Sequence, residues 1–178
     1  MRKQPSMTLG ALVGGLTSLP VIALLYLGEQ FSGLPFVPFD LFDWFARVLP
    51  GDIITLGIDS IVKLIRTLNL GPTSQSAKLI EQLLALGIFI GIGFVLGAVI
   101  AWAIRRIDGP PWQVGAGAGF VLFLGVAGIE LYLGLGPNMM VAALWLVLIL
   151  IGWGALVGRS LGQLTPAPAE MPTRLRRP

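Results

Sequence analysis

The sequence predicts an all-α polytopic membrane protein with four transmembrane helices and two interfacial amphipathic helices in the first extracytoplasmic loop. Three observations lead there. Charged residues make up 12% of the chain and apolar ones 55%, whereas soluble domains carry about 25% charged residues. Four apolar runs, at 9–28, 83–105, 114–134 and 139–158, are each long enough at about 1.5 Å per residue to cross a hydrocarbon core of about 30 Å. Between the first two runs lies the only dense, irregular mixture of Pro, Asp, Trp, Arg and Lys, from Gly33 to Glu81. Residues 1–163 read as a single membrane domain.

The first run, LGALVGGLTSLPVIALLYL, follows Arg2 and Lys3. A signal peptide is the rival reading of a basic start before an apolar stretch. The stretch is too long for one, and GEQFSG offers no small-x-small cleavage site, so a retained helix is expected. Pro20 is expected to kink it in mid-membrane, which neighbouring helices tolerate.

Glu29 to Pro38 reads as a linker. The next segment, FDLFDWFARV, is too short to span. Phe39, Leu41, Phe42, Trp44, Phe45 and Val48 give it a broad apolar face, Asp40 or a neighbour is placed to cap it, and Asp43 and Arg47 stand four apart. A helix over 39–49 lying in the bilayer interface, with its aromatics at headgroup depth, is predicted. Pro50 and Gly51 end it. Over 52–70, Asp52 sits at a capping position, and Asp59, Lys63 and Arg66 form a polar stripe on an otherwise Ile- and Leu-rich helix. Each charge costs about 2.5–3.5 kcal/mol at the centre of a lipid-exposed span. An in-plane helix is therefore favoured over a spanning one.

Gly71 and Pro72 stop the chain and Thr73 or Ser74 restarts it. A helix from about 74 to 106 is expected to protrude beyond the bilayer. Gly87, Gly91, Gly93 and Gly97 form two Gly-xxx-Gly pairs that admit a close neighbour. Arg105 and Arg106 close this span, and the short turn IDGPPW returns the chain antiparallel. The third span opens with Gly115, Gly117 and Gly119 and carries Glu130 near its far end. Residues 134–138 turn the chain, and the fourth span closes at Gly158-Arg159. Residues 164–178, rich in Pro and Arg, are expected to be a disordered basic tail.

Four spans place residues 1–8, 105–113 and 159–178 on one side. That side holds Arg2, Lys3, Arg105, Arg106, Arg159, Arg174, Arg176 and Arg177, eight of the twelve basic residues. The other side sets Arg47, Lys63, Arg66 and Lys78 against Glu29, Asp40, Asp43, Asp52, Asp59 and Glu81. The positive-inside rule then puts both termini in the cytoplasm.

With no Cys and no His, the chain offers no thiolate or imidazole ligands, so disulfides, Fe–S clusters, His-ligated haem and Ser-His-Asp or Cys-His catalysis are excluded within it. No catalytic, cofactor-binding or metal-ligating residue is assigned. The net charge of +3 comes from helix-flanking bases, not from a basic stripe with interleaved aromatics, so no nucleic-acid partner is expected. Gly115, Gly117 and Gly119 lack the dinucleotide fingerprint spacing and follow a turn, so helix packing is the better reading.

Glu130 is the one acid deep in a span and the candidate functional residue. Its plainer reading is a carboxylate near the outer boundary that snorkels or pairs with Lys63, Arg66 or Lys78. Asp40 and Asp43 read as capping or solvated groups. Phe39, Phe42, Trp44, Phe45, Asp59, Lys63 and Arg66 form a candidate interfacial platform for a partner.

The run GLPFVPFDLFDWFARVLPG (Gly33 to Gly51), followed by Gly57-Ile58-Asp59 and by Ala77-Lys78 with Glu81, resembles the N-terminal membrane region of bacterial molybdopterin-dependent, sulfite-oxidase-like oxidoreductases of the green non-sulfur type. The resemblance covers about Leu9 to Arg106. It implies a membrane module that works with an extracytoplasmic redox domain, which this sequence does not contain. The chain is then either a free-standing version that pairs with a separate redox subunit or the membrane section of a longer protein. The expected function is a non-catalytic membrane anchor or accessory subunit of a larger redox or photosynthetic complex, its partners being the lipid bilayer, other membrane subunits and a molybdopterin or other redox protein. A small oligomeric transporter or channel using Glu130 is the alternative.

Overall fold

A computed structural model describes residues 5–68, 73–134 and 139–165. Six helices account for nearly all of them: α1 (Met7–Ser32), α2 (Val37–Val48), α3 (Gly51–Leu68), α4 (Thr73–Ile104), α5 (Pro111–Leu133) and α6 (Met139–Leu164). Among the described residues there is no strand. α1, α4 from Lys78, α5 and α6 are each long and apolar enough to cross a membrane. The protein is a four-span, all-α membrane protein.

Local chemistry sets the boundaries. Ser6 caps α1 by accepting from the Leu9 amide at 3.1 Å. Gly33 ends it at φ 60°, its N–H returning to Glu29 and that of Leu34 to Gly28, the left-handed closure that glycine permits. α1 runs through Pro20 as one helix. α2 begins two residues before the expected start. Phe36 stands at its cap, and Pro38, within the first two positions, needs no N–H partner there. Asp40 therefore lies inside the first turn and does not cap. α3 likewise begins at Gly51, with Asp52 in its first turn. α6 continues past Gly158-Arg159 to Leu164. The expected cap region 69–72, the turn 135–138 and most of the basic tail lie outside the described residues.

Apolar solvent gives helices little reason to associate through hydrophobicity, so packing must come from close fit. The bundle achieves it with two antiparallel glycine contacts. Gly10 and Gly14 of α1 face Gly97 and Gly93 of α4, and a Cβ on Gly97 would land on the Gly10 carbonyl. Gly115 and Gly119 of α5 face Gly158 and Gly154 of α6 in the same manner. Of the four glycines singled out in α4, Gly93 and Gly97 pack as expected. Gly87 and Gly91 do not: a Cβ on either meets nothing within 4 Å. Positions 91 and 93 are about 200° apart on a helix turning 100° per residue, so one pair faces α1 and the other faces outward.

Trp153 of α6 joins the two pairs. Its ring stacks on Phe89 of α4 (centroids 5.5 Å apart, planes at 18°), and its Nε1 donates to Thr17 Oγ1 of α1 at 2.8 Å. It shares one hydrophobic core with Leu25, Ile100, Leu146, Leu150, Val157 and Leu161, all essentially inaccessible. At the end shared by the start of α1 and the end of α4, Arg105 Nε donates to the Pro5 carbonyl at 2.9 Å.

Gly97→Ala is expected to lower stability by about 1–3 kcal/mol, since helix backbones must separate to admit the methyl. Gly91→Ala is expected to be neutral or to stabilise by up to about 1 kcal/mol through helix propensity alone. Thermal unfolding of both variants in detergent checks the contrast; equal losses would contradict this account of the packing.

Candidate functional site

The end of the bundle opposite Arg105 is covered by α2, which packs on α4 and α5. Val37, Pro38 and Leu41 turn into the bundle and are buried. Asp40 shares their face, because positions three and four apart are neighbours on a helix. It is pressed towards α5 for that reason and not for any attraction of its own. On α5 the face that begins with Gly115 and Gly119 against α6 continues through Val126 to Glu130. Glu130 is 6% exposed.

These two placements bring Asp40 and Glu130 together within hydrogen-bonding reach. Neither Asp40 Oδ2 nor Glu130 Oε1 meets a donor from elsewhere in the described structure. Two ionised carboxylates can only accept. The contact is a bond only when one of them carries a proton, as in other sites where like charges are held together away from water. Burial, the largest influence, pushes the Asp40 carboxyl above its ordinary range; Glu29 and Asp43 push the same way, and the bond to Glu130 opposes them.

The surroundings are mixed. Asp43 is neutralised by Arg47 at 2.7 Å on the exposed side of α2. A groove of about 410 Å³ runs between α2 and α4, lined by Phe39, Asp40, Phe42, Asp43, Lys78 and Glu81 among others. Phe39 meets the buried Phe36 edge-on at 4.8 Å, and Trp44 and Phe45 stand edge to face at 5.1 Å. Phe42, Trp44 and Phe45 are half-buried. α3 packs against α4, with Asp59 and Lys63 exposed; the Arg66 side chain lies outside the described residues. Among the described residues no group of three or more acids is placed to hold a metal ion.

Two expectations change here. Glu130 neither snorkels nor pairs with Lys63 or Lys78: it is buried against a second acid. Asp40 is not a solvated capping group but the other half of that pair. The sequence marked Glu130 and missed Asp40 as its partner. The one signal that would have found it is the face that Asp40 shares with Val37 and Leu41. No protein-family model, curated protein or solved structure matches the chain.

Because the folded chain holds the Asp40 proton more tightly than the unfolded one, stability is greatest below the ordinary carboxylate range and declines as pH rises from there through the raised value. The unfolding temperature in detergent is expected to fall as pH rises above the ordinary carboxylate range, and to fall less in Asp40→Asn, which has no such proton to lose. A wild-type profile that rises over this range would contradict the assignment.

Proposed function

We propose that this chain is a non-catalytic anchor or accessory subunit of a larger redox or photosynthetic complex in the bacterial inner membrane. Both termini are cytoplasmic, and α2 and α3 lie along the outer bilayer surface as a seat for the partner. The observation that carries this reading is the contrast between the bundle and its outer end. The core is filled by aliphatic and aromatic side chains and closed by glycine contacts. Among the described residues its buried polar side chains are Ser18 and Glu130, and Ser18 is spent on its own helix, donating to the Gly15 carbonyl at 2.6 Å. The outer end, by contrast, presents the aromatic α2 and an α3 whose Asp52, Leu56, Asp59 and Lys63 are exposed. The positive-inside distribution supports the orientation, and the resemblance of residues 33–51 to the membrane region of sulfite-oxidase-like enzymes supports a molybdopterin or other redox protein as the partner.

Gentle-detergent purification of the tagged protein, with mass spectrometry and an absorption spectrum of what accompanies it, tests this. A stoichiometric redox or pigment-bearing partner is expected. A colourless homo-oligomer would overturn the proposal.

The second reading, a small oligomeric transporter or channel, is favoured by one observation: a buried carboxyl pair inside a membrane protein is a common element of proton-coupled transport. Below Glu130, however, the described core continues as Val126, Leu146 and Leu150, and Ser18, Thr17 and Trp153 spend their polar atoms on local bonds. Glu130→Gln is expected to leave complex assembly intact. Abolition of a measurable ion or proton flux in proteoliposomes by the same substitution would transfer the function to the second reading.

A further inference from the structure

We propose that Asp40 and Glu130 form a one-proton latch, which seats α2 on the outer end of the bundle while it holds the proton and lets α2 swing outward when the proton leaves. The proposal does not depend on which partner, if any, docks there.

The two ends of α2 are held differently. Its first turns are anchored by apolar burial: Val37 is inaccessible, Pro38 nearly so, and Leu41 is 6% exposed. Its last turn has no such anchor, since Ala46, Arg47 and Val48 are exposed. Between the two ends the polar link from α2 to α5 is the Asp40–Glu130 contact. A bond between two carboxyls has only two states. With one proton it is a hydrogen bond strengthened by charge. With none it is a repulsion between two anions that share little water.

The neighbouring charges do not remove this choice. On α1, Glu29 adds negative charge, and on α2 Asp43 does so while tied to Arg47. On α4, Lys78 and Glu81 line the same groove with opposite signs. On α5, Tyr132 lies on the Arg47 side. No base is placed between the two carboxyls among the described residues.

Once the proton is lost, the least costly relief is movement of the less anchored end. α2 pivots about Val37 and Pro38, following the Gly33 turn, and Asp40 reaches water through the groove it already lines. α3, joined to α2 through Leu49 and Pro50 and packed on α4, limits how far that end travels. Only one proton is exchanged, so the ratio of released to seated α2 rises by at most about tenfold per pH unit.

The chain has no cysteine, so a clean distance measurement is available. Val48 and Leu131 are 54% and 58% exposed and accept spin labels as Val48→Cys and Leu131→Cys without entering the core. Pulsed electron–electron resonance of the doubly labelled full chain in liposomes, from about pH 4 to pH 9, reads the seating of α2 against α5 directly. A single short distance at low pH is expected, with a longer population growing in as pH rises above the ordinary carboxylate range. Glu130→Gln and Asp40→Asn, each replacing one acid by an amide that can donate to the other, are expected to keep the short distance at every pH. Two neutral variants are used so that misfolding of one leaves the other to decide. A wild-type distance that does not change with pH would overturn the proposal, as would an unchanged transition in whichever variant folds.

Discussion

The structure depends on backbone-to-backbone contact between antiparallel helices. A lipid tail is as apolar as a leucine, so these helices gain little by hiding side chains from it, and their association rests on fit and on satisfied polar groups. Gly10 and Gly14 against Gly97 and Gly93, and Gly115 and Gly119 against Gly158 and Gly154, let two helix pairs approach until carbonyls of one helix touch the Cα atoms of the next. Trp153, stacked on Phe89 and bonded to Thr17, then fixes one pair against the other. The glycines also set rotation. Once Gly115 and Gly119 face α6, the face of α5 is committed along its length, and Glu130 is carried inward at the far end.

That rotation explains why an ionisable residue is tolerated where it is. Glu130 lies three residues from the end of α5, under the first turns of α2 rather than in mid-bundle. Asp40 lines a groove open to the outside. The pair is buried deeply enough for each carboxyl to feel the other and close enough to water to exchange a proton. A carboxyl pair at the middle of these spans would have no such outlet, and the apolar core around Leu150 and Ile100 would make its ionisation prohibitive.

The spans were legible because hydropathy over about 20 residues is a one-dimensional signal with a physical threshold. So were the existence of α2 and α3 and the brevity of the α4–α5 turn. Rotation was not legible. Gly-xxx-Gly spacing marks a smooth strip on a helix without saying which of two strips is covered, so Gly93 and Gly97 and the exposed Gly87 and Gly91 looked alike. The carboxyl pair was hidden for a related reason. Asp40 and Glu130 are ninety positions apart, and each has a sufficient local explanation: an acid near a helix start, an acid near a span boundary. Only the docking of α2 across α5 joins them. The start of α2 is ambiguous in sequence because Pro38 fits the end of a linker as well as the early helical position it occupies.

In the proposed orientation α2 and α3 lie together on the outer surface while the α4–α5 turn and the end of α6 face the cytoplasm. Labelling of single-cysteine variants in intact cells with a membrane-impermeant maleimide tests it most directly, and the absence of native cysteine makes the readout unambiguous. Asp52→Cys and Thr67→Cys, near the two ends of α3 and both exposed, should both label from outside. Asp108→Cys and Arg159→Cys should label only after the membrane is opened. Labelling of one end of α3 without the other would make it a fifth span, and the reverse pattern across all four sites would invert the protein in the membrane.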